Sequence, residues 1–378
     1  MSRRTTWTIE TVPDQGHGEA HRNRVSISLG NLRHNVGVVK KLAGAREVIA
    51  VVKADAYGMG LERCAQVYYQ AGIRRFAVAT SGEGRRLHDV LPEAKILLLA
   101  APLPGNRQRA AIEGFEVCCS SAAEIRDLAA ADTRQPVGIH LFVDTGMGRN
   151  GCLPGEVAAL AAQIRAHPNL RLAGIASHYP DAADDPGSLA QERRFAEALR
   201  AAAPLPPGCL IHLANSEGLV LRPGGPASAV RVGILLAGIT PPSCPELGLR
   251  QALRWEAAVT LVKNLPTGHG VSYSSTRILD RPTRVALVPV GYADGYPLAA
   301  SNRGQVLIRG QPCPILGRVT MDYLIVDATD LPGELEPGET VELLGPRYGV
   351  AALAARIGTI PYDVLCGLRG RCEVVSVE

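Results

Sequence analysis

Residues 48–100 read VIAVVKADAYGMGLERCAQVYYQAGIRRFAVATSGEGRRLHDVLPEAKILLLA. Three apolar runs mark this stretch, at 48–53, 76–79 and 96–100. They are continuously hydrophobic rather than alternating, as strands of a parallel sheet buried on both faces must be. Similar runs return at 115–118, 137–144, 172–177, 209–214 and 230–234. Between most of them lie Ala/Leu/Arg-rich segments with helical spacing, such as 156–167 and 189–202. Eight strand–helix units in about 200 residues predict an α/β fold with an N-terminal (β/α)8 barrel. An open doubly wound sheet is the competing arrangement.

The pattern changes near Arg250. Short strand-like runs follow at 257–262, 284–290, 305–309, 323–327 and 340–344, with Pro/Gly turns such as Pro266-Thr267-Gly268 between them. Helical periodicity returns only at 350–357. The expected organisation is an N-terminal extension (1–23), a barrel (24–250) and a mostly β domain (251–378).

Bulk properties narrow the function. Of the 378 residues, 46% are hydrophobic and 20% charged, an ordinary globular balance. A net charge of +4, without a concentrated basic run, gives no reason to expect a nucleic-acid partner. No apolar stretch approaches the roughly 20 residues that span a bilayer, and nothing apolar follows Arg3 and Arg4 to make a secretory signal. The nine cysteines are scattered, which suits free thiols in a reducing cytoplasm and no metal site.

In a (β/α)8 barrel the chemistry sits at the C-terminal strand ends. The first strand ends in Lys53. An ammonium there can snorkel to the rim, but a buried one is costly and has a depressed pKa, which makes it a nucleophile. The fifth ends in Val143-Asp144-Thr145-Gly146-Met147-Gly148-Arg149, whose glycines permit a tight turn aiming Arg149. The sixth ends in Ser177-His178 and the seventh in Asn215-Ser216, while the eighth holds Arg231, Gly233 and Ile234. Taken singly these residues have plain alternatives: a surface arginine, a core histidine, a helix cap. Together they describe a site. Asn215-Ser216 and Gly233-Ile234 follow the last two strands, where this fold holds phosphates on backbone N–H groups. A lysine near a phosphate subsite suggests pyridoxal 5'-phosphate, bound as a Schiff base.

Nine segments in order carry a family resemblance: VVKADAYGMG, VDTGMGRNG, SHYPDAADD, HLANSEG, RVGI, GVSYSSTR, VPVGYADGYP, GRVTMDYLIVD and GTIPYDVLCGL. Over roughly residues 24–374 the chain resembles the alanine racemases. The resemblance implies a barrel plus a C-terminal β domain, a homodimer, and interconversion of L- and D-alanine, a peptidoglycan precursor. It implies Lys53 as the cofactor lysine and Tyr273 as the opposing base. Tyr57, Ser216 and Tyr362, with the backbone of Gly233 and Ile234, would hold the phosphate. His178 would pack on the pyridine ring, and Arg231 would face the ring nitrogen. Because an arginine cannot accept a proton, that nitrogen should stay unprotonated and transamination should be limited. Arg149 and the Met321 backbone would bind the substrate carboxylate, with Tyr292 and Asp322 near the entry.

Four positions depart from the family pattern. Phe142 stands where many members have a lysine that becomes carbamylated, Ala237 where tyrosine is usual, and Ser274-Ser275 in place of a Gly-led pair. These changes leave a serine or broader amino-acid racemase open as an alternative. A barrel-type decarboxylase dependent on the same cofactor is a further rival. Its Glu-Pro-Gly-Arg segment is matched only by Glu336-Pro337-Gly338-Glu339, a turn in the wrong domain. A non-catalytic single-barrel homologue is disfavoured by the full β domain and by Tyr273.

Overall fold

The computed structural model describes residues 22–224, 227–368 and 371–378. The expected extension lies outside them except for Arg22 and Asn23. The first described strand, β1 (Asn23–Ser28), precedes the barrel strands. These are β2 (Glu47–Val51), β3 (Arg75–Val78), β4 (Lys95–Leu98), β5 (Glu116–Cys119), β6 (Val137–Phe142), β7 (Leu170–Ala176), β8 (Leu210–His212) and β9 (Ala229–Val232). They form one sheet in the order β8-β7-β6-β5-β4-β3-β2-β9, every pairing parallel. The two ends meet. The Ser228 N–H donates to the Ile211 carbonyl at 2.9 Å, and the Arg231 N–H to that of Ala214 at 3.0 Å. The sheet therefore curls into a barrel rather than an open doubly wound layer. Each expected barrel strand is present, its ends within about two residues of the apolar run, as strand boundaries allow.

Helices alternate with these strands and are capped by local chemistry. Thr80 and Ser121 each accept a backbone N–H three residues on, while Glu83 and Glu124 reach back, two capping boxes. The helical segment expected at 156–167 is Val157–Ala166, preceded by a short 3-10 turn at Pro154–Glu156. The one expected at 189–202 is Asp185–Ala201, which begins earlier because Pro186 fits its first turn.

The C-terminal region is mostly β. A six-stranded sheet holds, in order, Gln311–Pro314, Gln305–Ile308, Thr340–Leu344, Leu253–Ala258, β1 and Glu373–Val377. A three-stranded sheet holds Leu261–Leu265, Thr283–Val288 and Leu324–Asp327. The single strand expected at 257–262 is thus two. Val259 N–H bonds Glu339 while Thr260 N–H bonds Leu287, so the chain changes sheets between adjacent residues. The helix expected at 350–357 is present as Val350–Ile357.

β1 departs from the expected division. It pairs antiparallel with Leu253–Ala258 and parallel with Glu373–Val377, inside the β region rather than the barrel. Its alternating burial, with Val25 and Ile27 inward, is that of a strand in this second sheet.

Candidate active site

Lys53 follows β2 directly and opens a short turn. Ala54, Asp55, Ala56 and Tyr57 all have φ between 51° and 58°, four successive left-handed residues that are not glycine. Such a conformation costs about 1–2 kcal/mol per residue and needs outside support. Glu83 provides part of it: one carboxylate oxygen accepts the Ala54 N–H at 2.7 Å, the other those of Ala79 and Thr80. Asp55 accepts the Leu61 N–H at 3.1 Å and an Arg86 N–H at 2.7 Å. The turn carries Lys53 and Tyr57 to the barrel mouth. Burial, then the nearby Arg149 cation, pulls the Lys53 ammonium below the ordinary lysine range.

Arg231 lies at the base of the same mouth, 4% exposed. Its Nη1 donates to His212 Nδ1 and to the His212 carbonyl, both at 2.7 Å. Its Nη2 donates to the Ser177 carbonyl at 2.6 Å, His178 Nδ1 at 3.0 Å and the Leu213 carbonyl at 3.3 Å. None of these bonds uses Nε. Burial, with Arg149 adding in the same direction, lowers the guanidinium to about 10. Burial, then Arg231, drives His178 down to about 3, so its ring is neutral. Phe142 sets its ring 5.9 Å from the Arg231 guanidinium carbon, so the carbamylation position is filled by an aromatic face.

Arg149 is aimed by a turn built on Asp144. One Asp144 oxygen accepts the N–H groups of Gly146, Met147 and Gly148 at 2.9, 2.8 and 3.1 Å. Asn215 caps the helix Ser216–Leu221 through the Gly218 N–H at 2.8 Å. Ser216 Oγ accepts the Gly233 N–H at 3.1 Å. A Cβ at Gly233 would strike the Tyr57 hydroxyl, so glycine is needed there for close approach. From the C-terminal region the helix Pro361–Cys366 brings the Tyr362 ring to 5.9 Å from that of Tyr57.

These residues line one cavity of about 400 Å³: Lys53, Tyr57, Arg149, His178, Asn215, Ser216, Arg231, Gly233 and Tyr362, with Phe142 and Asn150. Ile234 is buried and does not line it. Tyr273, Tyr292, Met321 and Asp322 lie elsewhere, on the face of the β region. There Tyr292 N–H bonds the Thr320 carbonyl at 3.0 Å, Ala293 N–H bonds that of Met321 at 3.2 Å, and Ser272 Oγ donates to that of Arg318 at 2.7 Å. Asp322 accepts from Arg371 at 2.7 Å. The expected residues therefore form two groups, one lining the cavity at the barrel mouth and one on an exposed patch. Tyr273 is 70% exposed.

Sequence reasoning passed over Glu83 and the buried histidines His140 and His212. Glu83 carried a capping signal, three residues after Thr80. The histidines carried another: each interrupts an apolar run.

Family models fit both halves of the chain: the alanine racemase N-terminal domain over residues 27–241 and the C-terminal domain over 252–376. The chain belongs to the alanine racemase family. It is 37% identical to the alanine racemase of Symbiobacterium thermophilum, covering 91% of this chain and 94% of that one. It is 36% identical to the alanine racemase of a Nostoc species, over 95% and 96%. The alanine racemase of Streptomyces coelicolor superposes with a TM-score of 0.90 at 32% identity, covering 94% of this chain and 98% of that one. That of Bartonella henselae, solved with covalently bound pyridoxal phosphate, superposes with a TM-score of 0.87 at 30% identity, over 94% and 99%. The family fold, a barrel followed by a β region, is the one described here. Among the described residues no helix is long and apolar enough to cross a membrane.

Proposed function

We propose that this chain is a pyridoxal-phosphate-dependent alanine racemase, an isomerase that interconverts L- and D-alanine with Lys53 and Tyr273 as its two bases. The observation that carries this reading is the convergence of Lys53, Arg231 and the hydroxyls of Tyr57, Ser216 and Tyr362 on one cavity. The residues present fit the cofactor. Tyr57, Ser216 and Tyr362, with the N–H groups of Gly233 and Ile234, suit a phosphate, and Asn215 fixes the helix start beside them. The five bonds that hold Arg231 through Nη1 and Nη2 leave its Nε–H for a ring nitrogen. His178 offers its neutral ring as a packing surface. When bound, pyridoxal phosphate supplies the electron sink that makes the Cα proton of an amino acid removable.

The chain's own groups then divide the work. Lys53, its pKa lowered by burial and Arg149, takes or returns the proton on one face of Cα. Arg149 and the Met321 backbone N–H orient the substrate carboxylate. Tyr292 and Asp322 line the entry. Tyr273 serves the other face. In one chain it is outside the cavity, on a surface that also exposes Tyr292 and Met321. The reading therefore includes a homodimer in which each chain covers its partner's barrel mouth with this patch. All nine cysteines are free, which supports a cytoplasmic setting.

The test begins with purified protein and a panel of L-amino acids, followed by chiral chromatography. D-alanine should form, and a chain that racemises other amino acids but not alanine would overturn the assignment. Borohydride reduction should fix the cofactor on the peptide bearing Lys53. Label on Lys40, Lys41, Lys95 or Lys263 instead would count against it.

A further inference from the structure

Behind Arg231, further polar side chains occupy a barrel interior that is ordinarily filled by apolar ones. Arg231 Nη1 meets His212 Nδ1 at 2.7 Å. His212 Nε2 meets His140 Nδ1, also at 2.7 Å. His140 Nε2 meets Glu116 Oε2 at 3.3 Å. His140 and His212 are fully buried. Glu116 opens β5, so it sits at the N-terminal rim, the far end of the barrel from the cavity. It is bound there by Arg75, which also pairs with Glu47 at 3.0 Å, and by Arg171 at 3.3 Å.

The barrel makes room for this chain. A Cβ at Gly174 would strike the His140 ring, and one at Gly138 would come within 2.9 Å of Glu116 Cγ. The β6–β7 register slips between Ile139 and His140, an irregularity of the kind that re-aims a side chain.

The two ends dictate every proton between them. A guanidinium only donates, and a carboxylate only accepts. Arg231 therefore donates to His212 Nδ1, which places the His212 proton on Nε2. That proton goes to His140 Nδ1, which places the His140 proton on Nε2, directed at Glu116. All three bonds run the same way, and aligned hydrogen bonds polarise one another. Among the described residues no carboxylate is paired directly with Arg231, so this chain is its hydrogen-bonded route to an anion.

We propose that Glu116 is a positioning residue for racemisation: through His140 and His212 it fixes the direction of the chain and holds the Arg231 guanidinium in place at the cavity. This rests on the reading that Arg231 faces the cofactor ring. Replacing the carboxylate by an amide removes the anchor. His140 can then turn its proton toward His212, and a donor facing Arg231 would displace the guanidinium. Burial, which keeps both histidines neutral, is consistent with a chain that transmits polarity without carrying a charge of its own.

The experiment has two arms. In the first, nitrogen NMR of the wild-type protein with labelled histidine reads the tautomers, so no variant needs to fold. His140 and His212 should both be neutral with the proton on Nε2. A proton on Nδ1 of either, or a doubly protonated ring, overturns the proposal whether or not the protein is a racemase. In the second, Glu116→Gln should lower kcat about tenfold or more, the usual scale for a group supporting a site residue, with KM within about twofold. Glu47→Gln is the control, because it removes the other carboxylate from Arg75 and leaves the chain intact. It should keep wild-type kcat. A Glu116→Gln enzyme with wild-type kcat, or equal losses in the two variants, overturns the positioning role. Wild-type protein that racemises nothing would defeat the functional reading instead.

Discussion

The barrel mouth and the face of the β region hold their site residues in opposite conditions. At the mouth, Arg231 is 4% exposed and held by five hydrogen bonds, and His178 and Lys53 are shifted by burial and by their cationic neighbours. On the β face, Tyr273 is 70% exposed and Met321 51%. Tyr273 stands on a turn whose neighbours Ser272, Ser274 and Ser275 have φ of 61°, 60° and 45°. That strained turn presents an aromatic side chain to solvent, as the proposed homodimer requires. The mouth holds its groups in place, and the β face leaves its groups exposed.

The sharpest way to break this comparison is to divide the two regions between chains. Lys53→Ala and Tyr273→Phe proteins should each be nearly inactive as homodimers. Mixed in equal amounts and reassorted, half the dimers carry one site with both defects and one with none, so roughly a quarter of wild-type activity should return. Assay of L- to D-alanine conversion, with heterodimers verified by mass, decides it. A mixture that stays at the mutant baseline means that each site is built within a single chain.

Tyr273→Phe alone should lower racemisation by about 10²–10⁴-fold, the scale of a lost general base, while cofactor binding persists. Solvent exchange of the Cα proton should survive better from D-alanine, which uses the Lys53 face, than from L-alanine. Equal loss from the two enantiomers would remove the distinction between the regions.

Stability against acid should report on the barrel and not on the β face. His140 and His178 have folded pKa values of about 3, below the usual value near 6.5. The unfolded chain therefore binds more protons between those limits, and the native state loses stability as pH falls through that window. By pH 5 each histidine should remove about 2 kcal/mol relative to neutral pH. Denaturant midpoints measured from pH 8 to pH 4.5 check this, and a flat profile would mean the rings are not buried as neutral groups.

A smaller effect should follow Phe142→Lys. It places a cation beside Arg231 and Arg149, so activity should fall until bicarbonate converts the new amine to a carbamate, visible by intact mass. If neither mass nor activity responds to bicarbonate, residue 142 does not act on Arg149.

Most of the barrel was legible because its strands are mostly buried on both faces and their runs are predominantly apolar. Lys53, Arg149, His178, Asn215, Ser216, Arg231 and Gly233 were legible for a related reason: polar residues at the ends of such runs must have partners. Other features depended on tertiary context. Residues 257–262 look like one strand, because nothing local records that Val259 and Thr260 bond different sheets. The left-handed turn after Lys53 has no glycine until Gly58, so its conformation is imposed by Glu83, Asp55 and the surrounding backbone rather than by local preference. His140 and Glu116 lie 24 residues apart, and only the parallel pairing of β5 with β6 makes them neighbours.

β1 sets a timetable for making this protein. It is the earliest described strand, yet its partners are Leu253–Ala258 and Glu373–Val377. A ribosome adding 5–20 residues per second emits Leu253 roughly 10–45 s after Ile27. Throughout that interval the barrel strands can find one another while Val25 and Ile27 stay uncovered. A nascent chain halted after residue 250 would carry at its front an unpaired strand with Val25 and Ile27 uncovered, a natural handle for a chaperone.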